Sequence, residues 1–361
     1  MHIDPSQLVP GCVLISDVKG KTNRPIVPMN TVLSEKHITV LQKFLVETVD
    51  VSPKLINGEP FTPKVIHKKE SIGKRKSKKE YNSLVDHYLD VVDRYRKVFE
   101  SWQNSVPIDM PHVRQMLIPL LERVGMVGSD LFTLHHSVKK EDYYYHHSVS
   151  VAIFSAYLAK KMGYTKGEWL QIGLAGFLSD CGMARVDPAI VNKQGALTSS
   201  ELNEIKKHPT YSYRLVEQIP TITQTVKLAI LQHHERMDGS GYPLGLSRNK
   251  ILTYARIIAV SDIYHAMICE RHYKKKQSPF KVMEEIQKEQ FSQLDHNVVQ
   301  TFVSSLANFS IGTRVKLSNN YTGEIVFMEE KYPTRPMVRL DENDKIVILK
   351  NEPNLYIAEI L

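Results

Sequence analysis

The segment His233-His234-Glu235-Arg236-Met237-Asp238-Gly239-Ser240-Gly241-Tyr242-Pro243 constrains this chain more than any other. Adjacent side chains on a helix point about 100° apart, so two neighbouring imidazoles can serve one site only where a helix ends and the backbone turns. Gly239, Gly241 and Pro243 supply such an ending. A histidine pair standing alone is an ordinary structural feature. Its meaning depends on whether other ligand-type residues converge on it.

Composition narrows the frame. A chain of 361 residues is too long for one ordinary core and implies two or three domains. Its 42% hydrophobic content is that of a globular protein. No apolar run approaches the ~20 residues that cross a bilayer, and Met1-His2-Ile3-Asp4-Pro5 does not read as a signal peptide, so a cytoplasmic protein is expected. Cys12, Cys181 and Cys269 are odd in number and far apart, which fits a reducing compartment and argues against a disulfide framework or a thiolate zinc site. Between Lys64 and Lys79 eight basic residues face one acid, Glu70, so this run carries +7 of the formal +8. Such a run, with almost no apolar content, reads as a solvated linker, and nucleic acid is not expected as a partner.

Pattern changes around this linker divide the chain. Residues 1–62 read as a small α+β module, with short strands near Gly11-Cys12-Val13-Leu14-Ile15, Pro25-Ile26-Val27-Pro28 and Thr48-Val49-Asp50-Val51 and a helix over 34–44. Residues 63–80 are the basic linker and 81–129 connecting helices. There Leu84, Tyr88, Val91, Tyr95, Val98 and Trp102 recur at alternating intervals of four and three, an apolar seam that packs either on its own domain or in a homodimer through 84–102. Residues 130–308 read as a helical bundle, with a Thr198-x-x-Glu201 capping box and helices over 225–234 and 253–271. Residues 309–361 change to short strands separated by turn residues, which predicts a small β-barrel-like module. The fold class is therefore mainly α, flanked by two small modules.

The string His-His-Glu-x-x-Asp-Gly-x-Gly-Tyr-Pro is complete at 233–243 and resembles the signature of the bacterial HD-GYP family, an HD-superfamily bundle. The resemblance covers about residues 130–280. It implies a metal-dependent phosphodiesterase acting on cyclic dinucleotides, chiefly cyclic di-GMP. The family's metal positions fall on His147, Asp180, His208, His233, His234 and Asp262, with Ser179 where a seventh ligand, a histidine, is expected. Asp180 would bridge two ions and is the candidate catalytic residue. Imidazoles and carboxylates suit iron or manganese in preference to zinc here, and two ions ~3.5–4 Å apart can activate water and clamp an in-line displacement at phosphorus. By the family pattern one ion takes His147, the missing histidine, Asp180 and Asp262, while the other keeps Asp180, His208, His233 and His234. One ion, and at most two, is the expectation.

Substrate groups are similarly divided. The resemblance assigns phosphate contacts to Arg271 and Lys274 and substrate contact to Tyr242, whereas Met183 stands where the family has a phosphate-facing lysine. Tyr143 stands where some members have a glutamate for a third ion, and His265 where the family usually has aspartate. Two functions follow: a phosphodiesterase with one impaired metal site that hydrolyses weakly or only binds nucleotide, or an inactive module that signals by binding cyclic di-GMP or a signalling protein partner.

Overall fold

A computed structural model describes the chain except residues 20–24, 44, 45, 47, 64–80, 125–130, 132, 133, 139, 194, 271–275, 290, 291, 307–310 and 330. The basic run from Lys64 to Lys79, and both Arg271 and Lys274, thus lie outside the described residues. Residues 1–80 with 219–223 make one compact unit, and 81–218 with 224–361 make the other.

In the first unit, β1 (His2–Ile3) pairs antiparallel with a later strand, β4 (Val49–Asp50), and β2 (Val18–Lys19) pairs with β3 (Pro25–Val27). Between these pairs runs α1 (Glu35–Lys43). Bridges Val13–Val32 and Leu14–Val51 draw the segments over a core of Leu8, Cys12, Leu14, Val27, Leu33, Leu41 and Val51. Cys12 is thus a buried core residue, as are Cys181 and Cys269 in the other unit.

The second unit opens with α2 (Leu84–Gln103), whose Ser83–Asp86 capping box satisfies first-turn amides from both directions. Leu84, Tyr88, Val91, Tyr95 and Trp102 are all buried. They pack against α3 (Met110–Val124), α4 (Tyr143–Lys161) and the turn at Cys181–Arg185. These five seam residues therefore pack within their own unit, while Val98 is half-buried and Leu89 of the same helix is exposed. Periodicity marked the face correctly and could not say what covers it.

The centre of this unit is the pair of α4 and α5 (Lys166–Leu178), both apolar on nearly every side. They can lie close because α5 carries Gly176, where an added Cβ would sit 3.1 Å from the Val151 carbonyl oxygen. Around them follow α6 (Pro188–Val191), α7 (Ser199–Ile205), α8 (His208–Val216), α9 (Gln224–Gln232), α10 (Thr253–Ile268), α11 (Pro279–Glu289) and α12 (His296–Leu306). The expected capping box opens α7: Thr198 Oγ1 accepts from the Glu201 amide and Glu201 returns the bond. No helix among the described residues is long and apolar enough to cross a membrane.

The chain ends in β5 (Arg314–Leu317), β6 (Thr322–Phe327), β7 (Met337–Leu340), β8 (Ile346–Ile348) and β9 (Ile357–Ile360). They form one antiparallel sheet in the order β8-β7-β6-β5-β9. The expected barrel-like module is corrected to an open sheet: among the described residues the edge strands β8 and β9 do not pair. Alternate residues Val315, Leu317, Ile325, Val338 and Leu340 are buried, which is the period of a sheet covered on one face. Arg335, in the turn before β7, donates from Nη2 to Glu284 Oε2 of α11 at 2.6 Å and fastens the sheet to the helices.

Candidate metal centre

Five separate helical elements deliver the six candidate ligands to one place. His147 lies in the first turns of α4, and its neighbour His146 turns the other way, with Nδ1 at 2.8 Å from Tyr88 Oη. Asp180 follows the end of α5, His208 begins α8, and Asp262 sits in buried α10. The helix α9 stops at Gln232, so His233 and His234 occupy the turn beyond it. That is the helix ending that a shared site for adjacent histidines requires.

The turn bearing Asp180 is anchored on α8. Ser212 Oγ donates to the Ser179 carbonyl at 2.6 Å and accepts from the Gly182 amide at 2.8 Å. Gly182 is required by close approach, since a Cβ there would lie 2.3 Å from the His208 carbonyl oxygen. On the far side, buried Glu235 accepts from the amides of Leu244 and Leu246 at 2.7 and 2.8 Å and so ties down the Gly-Tyr-Pro loop. Glu235 is thus a loop anchor that the motif contained and sequence reasoning left without a role.

The donor atoms themselves argue for a cation. His208 and His233 each place Nδ1 at 2.7 Å from a main-chain carbonyl, of Ile205 and Ile230, so these nitrogens carry the hydrogen and donate it. Their Nε2 lone pairs then face Asp180 Oδ1 at 3.2 and 3.3 Å and each other at 3.3 Å. Three acceptors in one triangle repel unless positive charge lies between them. For metal–nitrogen bonds of ~2.0–2.1 Å, neighbouring ligands of a tetrahedral site stand about 3.3–3.4 Å apart, so the triangle fits a divalent ion. Asp180, His208, His233 and His234 all offer ligand atoms within 4.8 Å of one another. Electrostatics agree. Burial opposes the ionised form of Asp180, but the imidazoles of His208, His233 and His147 outweigh it and hold the carboxyl well below the usual range. Burial likewise opposes charge on His208, and Asp180 reverses this and raises it, so the triangle draws positive charge to His208 Nε2: a proton when no ion is bound, and a cation in its place. His234 is pushed well below its ordinary value by burial and by His233, so it is a neutral, ligand-ready imidazole.

A second group lies alongside. His147 Nε2 stands 2.9 Å from Asp262 Oδ1 and 3.4 Å from Asp180 Oδ2, so Asp180 presents one oxygen to each group. Asp262 in turn reaches His234 Nδ1 with Oδ2 at 3.7 Å. Ser179 takes no part: its hydroxyl donates to the Gly176 carbonyl at 2.9 Å. On the other face of His147, Nδ1 lies 3.0 Å from Tyr143 Oη and 2.9 Å from His265 Nδ1. His265 is buried, with Nε2 3.3 Å from Cys269 Sγ, and it supports His147 from behind.

A cavity of about 400 Å³ opens over these residues, walled by Met183, Leu202, Ile205, Ile263, Met267 and Tyr144 among others. Tyr242 lines it with its ring stacked on His234, centroids 4.7 Å apart. No lysine or arginine lines it among the described residues. Arg271 and Lys274, expected to contact phosphate, lie outside the described residues, and Met183 adds only a thioether to the wall.

A family model described as an HD domain matches residues 135–298. A cyclic di-GMP phosphodiesterase of Pseudomonas aeruginosa is 29% identical over 243 residues, covering 67% of this chain and 58% of that protein. The cyclic di-GMP phosphodiesterase PdeB of Borreliella burgdorferi is 29% identical over 211 residues, 58% of this chain and 55% of that one. A 3′3′-cGAMP-specific phosphodiesterase of Vibrio cholerae is 30% identical over 135 residues, 37% of this chain and 29% of that one. The chain thus spans at most about three fifths of the length of these relatives. The matched HD domain contains all six convergent residues and the Gly-Tyr-Pro turn that closes on them, and together with these relatives it supports membership of the HD-GYP family.

Proposed function

We propose that the chain is a metal-dependent phosphodiesterase domain that takes a 3′,5′ cyclic dinucleotide, with cyclic di-GMP the first substrate to test. The observation that carries this reading is the triangle of ligand atoms at Asp180, His208 and His233, completed by His234. A divalent ion held there supplies Lewis-acid activation of water and charge at a phosphoryl oxygen. Hydrolysis adds water across one phosphodiester bond: oxygen joins phosphorus, the P–O bond to one ribose breaks, and that ribose oxygen takes a proton. Asp180 orients the centre through both carboxylate oxygens. His234 and Tyr242 form a stacked wall, and the apolar surface of Met183, Ile205 and Ile263 suits a flat ring while excluding water. The uneven ligand supply, with Ser179 bonded to its own helix, favours one tightly held ion at Asp180, His208, His233 and His234. Iron or manganese fits this imidazole and carboxylate set.

A second reading, a module that binds the nucleotide without turnover, is favoured by Ser179 and Met183 together, since one metal ligand and one phosphate donor are both replaced. Purified chain loaded with manganese or ferrous iron is incubated with cyclic di-GMP and followed by chromatography for linear product, with Asp180→Asn as control. Product from the wild type alone supports the first reading. Saturable binding without product moves the protein to the second, and neither product nor binding overturns both.

A further inference from the structure

A second cavity, of about 580 Å³, lies in the same compact unit where α11 begins beside strands β5 and β9. It shares no lining residue with the cavity over the metal centre. Three ammonium groups line it, Lys276, Lys281 and Lys316, against one acidic side chain, Glu359. Glu359 stands opposite Lys316 in the β5–β9 ladder, yet among the described residues none of these lysines forms an ion pair. Lys281 instead lies over the Tyr356 ring, 5.5 Å from its centroid, and the aromatic face becomes part of the wall.

The start of α11 adds to this charge. Ser278, Pro279 and Lys281 all line the cavity, so the positive end of an eleven-residue helix opens on it. Ser278 occupies the capping position, but its hydroxyl donates to the Ile357 carbonyl of β9. Among the described residues no side chain caps the Lys281 amide, which is the usual target of such a cap. Unpaired ammoniums, a first-turn amide and an aromatic wall around one half-open cavity share a single complement. We infer that this cavity binds a small phosphate-bearing anion, whose charge sits between Lys276, Lys281 and the start of α11 and whose remainder lies against Tyr356. Because the site is built jointly by α11 and β9, an occupant bridges the helices and the terminal sheet.

The test is calorimetric titration of the full chain with inorganic pyrophosphate and, separately, with guanosine 5′-monophosphate. The proteins are wild type, Lys281→Ala, Lys276→Ala and His208→Ala, and thermal unfolding checks that each variant folds. The expected result is saturable binding to wild type with an affinity that falls about tenfold in Lys281→Ala and in Lys276→Ala, and is unchanged in His208→Ala. Tighter binding of the nucleotide than of pyrophosphate identifies a nucleotide as the occupant, and the reverse order identifies free phosphate. Absence of binding at about 1 mM of either probe, or binding that survives both lysine changes, overturns the inference. Loss in His208→Ala instead assigns the anion to the metal centre and equally overturns it, leaving the phosphodiesterase reading untouched.

Discussion

Gly182→Ala tests how the fold positions the metal centre. The added Cβ would stand 2.3 Å from both the His208 carbonyl oxygen and the Ser212 amide nitrogen, and 2.8 Å from Ser212 Oγ. Two of these atoms are backbone, so relief requires α8 and the Asp180 turn to separate by about 1 Å. Overpacking of this kind costs about 1–3 kcal/mol. The bond from the Gly182 amide to Ser212 Oγ would stretch as well, adding about 0.5–1.5 kcal/mol. A total near 2–4 kcal/mol corresponds to a fall in Tm of about 5–15 °C for a unit of this size. The same displacement opens the 3.2 Å gap between His208 Nε2 and Asp180 Oδ1, and metal affinity should drop about 10- to 100-fold. Thermal unfolding by circular dichroism and competitive manganese titration read the two effects. Gly195→Ala is the control, because an added Cβ there meets nothing within 4 Å. If Gly182→Ala keeps its Tm within about 1 °C and binds metal as wild type does, close packing at this turn does not hold the site.

Three further outcomes follow. Burial and the nearby Arg123 depress His87 to about 4. Its folded value lies below the unfolded one of about 6.5, so the unfolded chain takes up a proton that the folded chain refuses; stability is therefore lost as pH falls from about 6.5 to 4, and His87→Leu should flatten that slope in denaturant titrations. Glu235→Gln leaves the Leu244 and Leu246 amides with a weaker acceptor, and hydrogen exchange at these two amides should speed up about tenfold or more; unchanged exchange would deny Glu235 its anchoring role. Ser179→His together with Met183→Lys should raise both metal content and turnover, whereas Ser179→His alone raises metal content and Met183→Lys alone does little, so the gain in turnover exceeds the sum of the single changes, as groups acting as a unit behave; a wild type already as fast as the double variant would refute this.

Much of the site was legible because its information is dense along the chain. His233, His234, Gly241, Tyr242 and Pro243 stand within one turn, and the helix ending they demand is where α9 stops. His147, His208 and Asp262 came from the family resemblance, since a single histidine or aspartate in a helical segment carries no signal of its own. The supporting residues were not legible. Ser212 clamps the Asp180 turn from 30 residues away and His265 backs His147 from 118 away, and no local pattern encodes contacts at that separation. The seam from Leu84 to Trp102 showed an apolar face without naming its cover, and strand spacing over 309–361 marked short strands without showing the last one, β9, or whether the sheet closes. Both depend on pairings that one sequence does not print.

The most direct measurement of the central claim is elemental analysis of metal per chain, on protein purified without chelators, for wild type and for His233→Ala. The account expects about one iron or manganese per wild-type chain and loss of that ion in His233→Ala, because His233 is one of the four ligands, with Asp180, His208 and His234, that hold it. Two tightly held ions in the wild type would show that the group at His147 and Asp262 needs no further ligand. No retained metal in the wild type, or an ion that persists in His233→Ala, would contradict the metal centre itself.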